Sequence, residues 1–287
     1  MAGRSTHSCP CLNLGVRFET VDSFPRLLAF DLDGTLLSSD GTVPSRVRAV
    51  INSVRARECA LVLATGRPWS QVIRVVKEIG GVDYCVCLNG AVVVDGHGSL
   101  LMERSMTREL ARTSAQLARQ VVPGVALAAD MADGRHIWDE NFVPAFPADF
   151  VIDALRVPDA VVAVDDPVLT WLLDCKEFDP LRAIELLKEH LPSGTEVRPS
   201  GLETPEIVVS GVTKASGLAK IAMICDIEAS DAVAFGDGLN DLDMFSWAGC
   251  SVAMSNAHAH VLAKADVIAP SNDEDGVAVM LEALLYD

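Results

Sequence analysis

Hydrophobic and polar positions alternate in blocks along this chain, and the blocks change period in a regular way. Residues 27–33 begin as a continuous apolar run, Leu27-Leu28-Ala29-Phe30, and end in polar residues, the pattern of a strand buried on both faces. Residues 45–57 carry Val47, Val50, Ile51 and Val54 at helical spacing. A second buried strand is predicted over 59–64, a helix over 70–79 with Val72, Val75, Val76 and Ile79 inward, and a third strand over 84–88. Strand–helix–strand repetition of this kind predicts a parallel sheet with right-handed crossovers. The far end of the chain repeats the pattern. Helices are predicted over 214–225, 241–247 and 276–285, with short strands over 232–235, 251–254 and 267–269.

Between about residues 91 and 210 the character changes. Residues 92–94 and 100–103, joined through Asp95-Gly-His-Gly-Ser99, read as a hairpin. Helices follow over 108–121 and 181–190, with strand-like 161–164 and 170–173 between them. The expected fold class is therefore α/β, a doubly wound parallel-sheet core with an inserted α+β unit. The expected domains are a tail over 1–24, a core over 25–90 and 211–287, and an insert over 91–210 that acts as a cap.

Composition changes this picture little. Half of the 287 residues are hydrophobic, so a packed core is expected, and the formal net charge is -17. That balance argues against a nucleic-acid partner, which would need clustered Lys and Arg. No apolar stretch approaches the ~20 residues of a membrane span, and the first 24 residues lack the basic-then-apolar pattern of a signal peptide; a cytoplasmic location is expected. Most of the eight cysteines lie in apolar runs, where they read as small core residues. His7, Cys9 and Cys11 lie close together in the tail, without a second half at zinc-finger spacing.

Four polar clusters fall at predicted strand ends, where ligands bind in doubly wound sheets. Asp31-Leu-Asp33-Gly-Thr35 projects two carboxylates that would repel unless a cation intervenes, and hard oxygen ligands suit Mg²⁺. Ala64-Thr65-Gly66-Arg67 offers a hydroxyl, a permissive backbone and a guanidinium to an anion. Lys214 opens a predicted helix. Gly236-Asp237-Gly-Leu-Asn240-Asp241 adds further oxygen donors. An EF-hand would need glycine and glutamate where Leu36 and Thr42 stand. A dinucleotide fingerprint would need glycine in place of Asp241.

This ordered set, with Val252-Ala-Met-Ser-Asn-Ala257 after it, resembles the haloacid-dehalogenase-like phosphohydrolases. The large insert makes it similar to their Cof-type, subclass IIB branch. The resemblance covers the chain from about residue 25. It implies a Mg²⁺-dependent phosphatase of a small phosphorylated metabolite, with Asp31 as nucleophile and Asp33 as acid and base. It further implies that Asp31, the Asp33 backbone carbonyl and Asp237 hold the metal, with Asp241 orienting that shell. Lys214 would be catalytic, neutralising charge together with the metal, while Thr65, Gly66, Asn89 and Asn240 would hold the phosphate. A phosphomutase or an idle sugar-phosphate sensor on the same fold is the alternative. Arg135, His136 and Lys176, in mixed polar and aromatic stretches of the insert, are the expected substrate contacts of the cap. Trp138, Phe142 and Phe146 read either as ordinary packing or as a cap face over the substrate.

Overall fold

The computed structural model describes residues 24–146, 151–176, 178–201 and 204–286. The tail with His7, Cys9 and Cys11 lies outside them. The chain first lays down β1 (Leu27–Phe30), α1 (Ser45–Val54), β2 (Ala60–Ala64), α2 (Trp69–Glu78) and β3 (Tyr84–Cys87), then the hairpin β4 (Val92–Asp95) and β5 (Leu100–Glu103). A second run follows: α3 (Arg108–Val121), β6 (Ala126–Met131), β7 (His136–Asp139), β8 (Leu155–Val157), α4 (Ala160–Ala163), β9 (Val168–Asp174), α5 (Pro180–Lys188), β10 (Thr195–Pro199) and β11 (Pro205–Val209). It closes with α6 (Lys214–Cys225), β12 (Ala232–Gly236), α7 (Leu242–Trp247), β13 (Cys250–Met254), α8 (Ala259–Leu262), β14 (Val267–Ala269) and α9 (Gly276–Tyr286).

Two sheets result. The first has the order β14-β13-β12-β1-β2-β3-β4-β5, parallel from β14 through β3. Its centre is β1, apolar throughout because both faces are covered. Leu28 and Phe30 pack with the inward stripes of α1, α2 and α9. Leu27 and Ala29 face the opposite way, onto Leu218, Ile221 and Met244. Each aliphatic side chain so buried contributes about 1.5–3 kcal/mol, and neither face can turn to water. That fixes the register of the strand and, with it, where Asp31 emerges.

The second sheet has the order β10-β11-β9-β6-β7-β8 and is antiparallel except for β7 with β8. One of its faces packs on α3, α4 and α5 through Trp171, Leu173, Leu127 and Ile207. The other turns toward the carboxyl ends of the first sheet.

Two expectations need correction. The hairpin β4–β5 was expected at the start of the insert, but β4 pairs with β3 and extends the first sheet. Val93 and Val94 of this strand are buried in the clusters on the two faces of the first sheet. Residues 161–164 were expected as a strand, yet Ala160–Ala163 form a helical turn. Asp159 caps it, accepting from the amides of Val161 and Val162, and this local capping overrides the strand preference of β-branched residues. The cysteines meet their expectation at Cys85, Cys87, Cys175 and Cys250, which are buried thiols.

Candidate active site

The site grows from the ends of β1, β2, β3 and β12. Asp31 follows β1 and is 6 % exposed. Its backbone amide donates to the Phe235 carbonyl of β12 at 2.9 Å, so the strand pairing aims the side chain. Lys214, at the first position of α6, is fully enclosed. Its Nζ donates to Asp31 Oδ1 at 2.5 Å and to Asp241 Oδ1 at 2.7 Å. A buried ammonium is costly unless paired. Burial alone would lower its pKa, but Asp241 and Asp31 outweigh that and hold the proton in place.

The loop after β3 brings Lys214 there. Leu88, Asn89 and Gly90 all have positive φ (48°, 51° and 108°). A Cβ on Gly90 would lie 2.1 Å from the Thr213 carbonyl oxygen, so only glycine lets the loop close on the start of α6. Thr213 caps that helix, accepting from the Ser216 amide at 3.0 Å while the Ser216 hydroxyl accepts from the Thr213 amide. Gly34 has a similar reason. Its φ is 81° and a Cβ would collide with the Asp237 carboxylate.

Asp237 follows β12 and accepts from the Thr35 hydroxyl at 2.8 Å. Asp241 is buried, and its Oδ2 accepts the amides of Asp237 and Gly238, both at 2.9 Å. It thus ties down the loop that carries Asp237. Ligand oxygens of Asp31, Asp237 and Asp241 lie within 4.8 Å of one another. Burial, then the charges of Asp241, Asp237 and Asp33, push the Asp31 carboxyl well above its usual range, against the pull of Lys214. Burial and Asp241 push Asp237 up to about 7. Three carboxyls around one ammonium leave an excess of negative charge, and a hard cation is what this donor set fits.

Asp33 lies at the cavity wall and is gripped by Arg67, whose Nε and Nη2 reach its two oxygens at 2.9 and 2.5 Å. The guanidinium, expected as an anion contact, therefore fixes a carboxylate of its own chain. Thr65 is buried, and its hydroxyl accepts the Arg67 amide at 3.1 Å; Gly66 beside it lines the cavity. Asn240 donates to Asn89 Oδ1 and to the Ser200 carbonyl, and Asn89 donates to Ser200 and to Glu206 Oε1, all at 3.0 Å. These two asparagines join the first sheet to the second across the cavity.

The structure brings together Asp31, Asp33, Thr65, Gly66, Asn89, Lys214, Asp237, Asn240 and Asp241. It does not bring in the expected cap contacts. Arg135 is exposed and paired with Asp133 and Asp165, and Lys176 sits exposed at a tight turn. His136 lies behind Asp130, its Nδ1 2.5 Å from Asp130 Oδ1, and lines an adjoining groove. Trp138 and Phe142 are buried in a small cluster with Leu172 on the face of the second sheet away from its helices, and Phe146, packed against Trp138, reaches the cavity. What sequence reasoning missed is Asp130, Thr170 and Glu206, buried polar residues of β6, β9 and β11 that line the same cavity. Each interrupts an otherwise apolar strand, which was the available signal.

A family model of the haloacid dehalogenase-like hydrolases matches residues 28–281. The chain belongs to that family. It is 29 % identical over 263 residues to a putative bifunctional phosphatase/peptidyl-prolyl cis-trans isomerase of Streptococcus pyogenes, covering 90 % of this chain and 54 % of that protein; the chain thus spans about half the length of that relative. It is 27 % identical to the putative phosphatase YxeH of Bacillus subtilis, over 91 % of this chain and 98 % of the other. Among solved structures, a subclass IIB sugar phosphatase superposes with a TM-score of 0.76 at 23 % identity, covering 90 % of this chain and 98 % of that one. The family makes this chain a hydrolase of the haloacid dehalogenase-like kind, and both of these relatives are described as phosphatases. The doubly wound α/β fold expected from the sequence is the fold of these neighbours. No helix among the described residues is long and apolar enough to cross a membrane.

Proposed function

We propose that the chain is a Mg²⁺-dependent phosphatase of small phosphorylated metabolites that works through a phosphorylated Asp31. The observation that carries this reading is the buried Asp31 carboxylate, paired with Lys214 and grouped with Asp237 and Asp241. Asp31, the Asp33 carbonyl and Asp237 would hold the cation, with Asp241 behind them. Mg²⁺ there would neutralise charge on the phosphoryl oxygens.

The chain's own residues do the rest. An Asp31 oxygen forms a bond to phosphorus as the ester oxygen leaves, and Asp33 hands that oxygen a proton. Water then attacks the phospho-aspartate, giving its proton to Asp33, and inorganic phosphate departs. Lys214 compensates the charge on Asp31 and on the group in transfer. Arg67 orients Asp33. Gly66, Asn89 and Asn240 line the space the phosphate would fill.

Phosphate release measured over a panel of phosphomonoesters, with Mg²⁺ and with EDTA, tests this. Release should need the cation, and Asp31→Asn should abolish it. Full turnover in excess chelator, or in the Asp31→Asn variant, would overturn the scheme.

A further inference from the structure

Strand register builds the roof of the cavity. Asp130 of β6 stands opposite Thr170 of β9, and Leu172 of β9 stands opposite Glu206 of β11. Successive strand residues alternate faces. Trp171 and Leu173 take the helix side, so Thr170 and Leu172 take the side of the catalytic carboxylates and line their cavity.

The polar members of this roof are deeply buried: Asp130 is 4 %, Thr170 1 % and Glu206 3 % exposed. Asp130 is engaged by His136 and Glu206 by Asn89. The hydroxyl of Thr170 has no hydrogen-bond partner. Leaving such a group unpaired is destabilising, and a valine at this strand position would avoid it. A hydroxyl held unpaired in the wall of a cavity points to a ligand that completes it.

We propose that Thr170, Asp130 and Glu206 form a subsite for the leaving group of the phosphoester, and that it takes an uncharged alcohol rich in hydrogen-bond donors and excludes one bearing a second anionic group. The proposal rests on the phosphatase reading above, since it assumes the phosphate lies at Asp31. The roof offers carboxyl and hydroxyl oxygens as acceptors, and Phe146, Ile152 and Leu172 give it apolar walls for a carbon skeleton. Among the described lining residues the Lys or Arg present is Arg67, and it grips Asp33. Lys214 is held between Asp31 and Asp241. A carboxylate or second phosphate on the leaving group would find no cation free to pair with it among the described lining residues, and burying an anion without a partner is strongly unfavourable.

Matched probes test this. Glucose 6-phosphate is compared with 6-phosphogluconate, and glycerol 3-phosphate with 3-phosphoglycerate, using acetyl phosphate as a reference whose leaving group, acetate, is too small to fill the subsite. In each pair the neutral member should have a kcat/KM at least about tenfold higher. In Thr170→Val the ratio of kcat/KM for glucose 6-phosphate to that for acetyl phosphate should fall roughly three- to tenfold. The thermal midpoint of that variant should stay level or rise, because an unpaired hydroxyl has been removed, whereas a structural threonine would lower it. The proposal alone fails if acetyl phosphate is turned over but the acidic member of each pair is taken as well as the neutral one or neither is taken. It fails too if Thr170→Val leaves the ratio unchanged. Absence of turnover with every phosphoester, acetyl phosphate included, overturns the phosphatase reading as well.

Discussion

Lys214 shows how a single side chain can serve stability and chemistry together. Its ammonium is the shared partner of two buried carboxylates, Asp31 and Asp241. Replacing it by methionine keeps the volume but strands both. Such a break in a buried ion pair costs about 3–5 kcal/mol, and urea denaturation in chelator should show a loss of that order together with loss of turnover. Glu206 makes a second residue-scale case. Burial pushes its carboxyl up to about 8, against the hydrogen bond from Asn89. The unfolded chain releases this proton near pH 4.5 and the folded chain near 8. Between those values the folded state holds the extra proton, so this group's contribution to stability falls as pH rises and is gone above 8. The slope is at most about 1.4 kcal/mol per pH unit. Glu206→Gln should therefore gain on the parent protein from pH 5 to pH 8.5 in thermal midpoint. A difference that stays flat with pH would show that Glu206 is ionised in the folded protein.

Strands and loops at the next scale explain which parts were legible in the sequence. Wherever an element is buried on two faces, or carries a full helical stripe, composition and period agree: β1, β2, α3 and α6 lie within a few residues of their predicted bounds. The hairpin β4–β5 was legible as a hairpin but not as part of the first sheet, because pairing partners are set by tertiary proximity. The strand expected over 161–164 gives way to the helical turn Ala160–Ala163 because an aspartate cap, a local interaction of one side chain, decides its conformation. The grouping of Asp31, Asp237 and Asp241 was legible since they cluster in short motifs at strand ends. Thr170 and Glu206 left only a weak signal, since each stands alone in its strand and the wall they line is assembled by strand register. The loop 88–90 carries an element-scale prediction. Gly90→Ala must place a Cβ against the Thr213 backbone and hold an L residue at φ 108°. That should cost at least about 1–3 kcal/mol and displace the start of α6. Calorimetry should find the loss of stability, and kcat should fall more than KM rises, because Lys214 moves with the helix.

For the whole molecule, the two sheets meet at the cavity, which residues of both line. Asn240 and Asn89 cross from the first sheet to Ser200 and Glu206 of the second, and Arg198 of β10 pairs with Asp243 of α7. The second sheet supplies the roof, and the first supplies the carboxylates. Their excess negative charge makes the folded protein a better host for a divalent cation than the unfolded chain. Mg²⁺ should accordingly raise the thermal midpoint by mass action, by about 2.7 kcal/mol of stability at a hundred times its dissociation constant. Asp237→Asn should remove most of that response. An equal Mg²⁺ response in the variant would place the cation elsewhere.

Covalent phosphorylation of Asp31 is the central claim, and rapid quenching tests it most directly. Enzyme mixed with radiolabelled acetyl phosphate and Mg²⁺, then stopped in acid within one turnover, should carry label that peptide mapping assigns to Asp31. Asp33→Asn, which removes the base of the second half-reaction, should accumulate more of it. Label on any other residue, or turnover with no labelled enzyme at any quench time, would contradict the account.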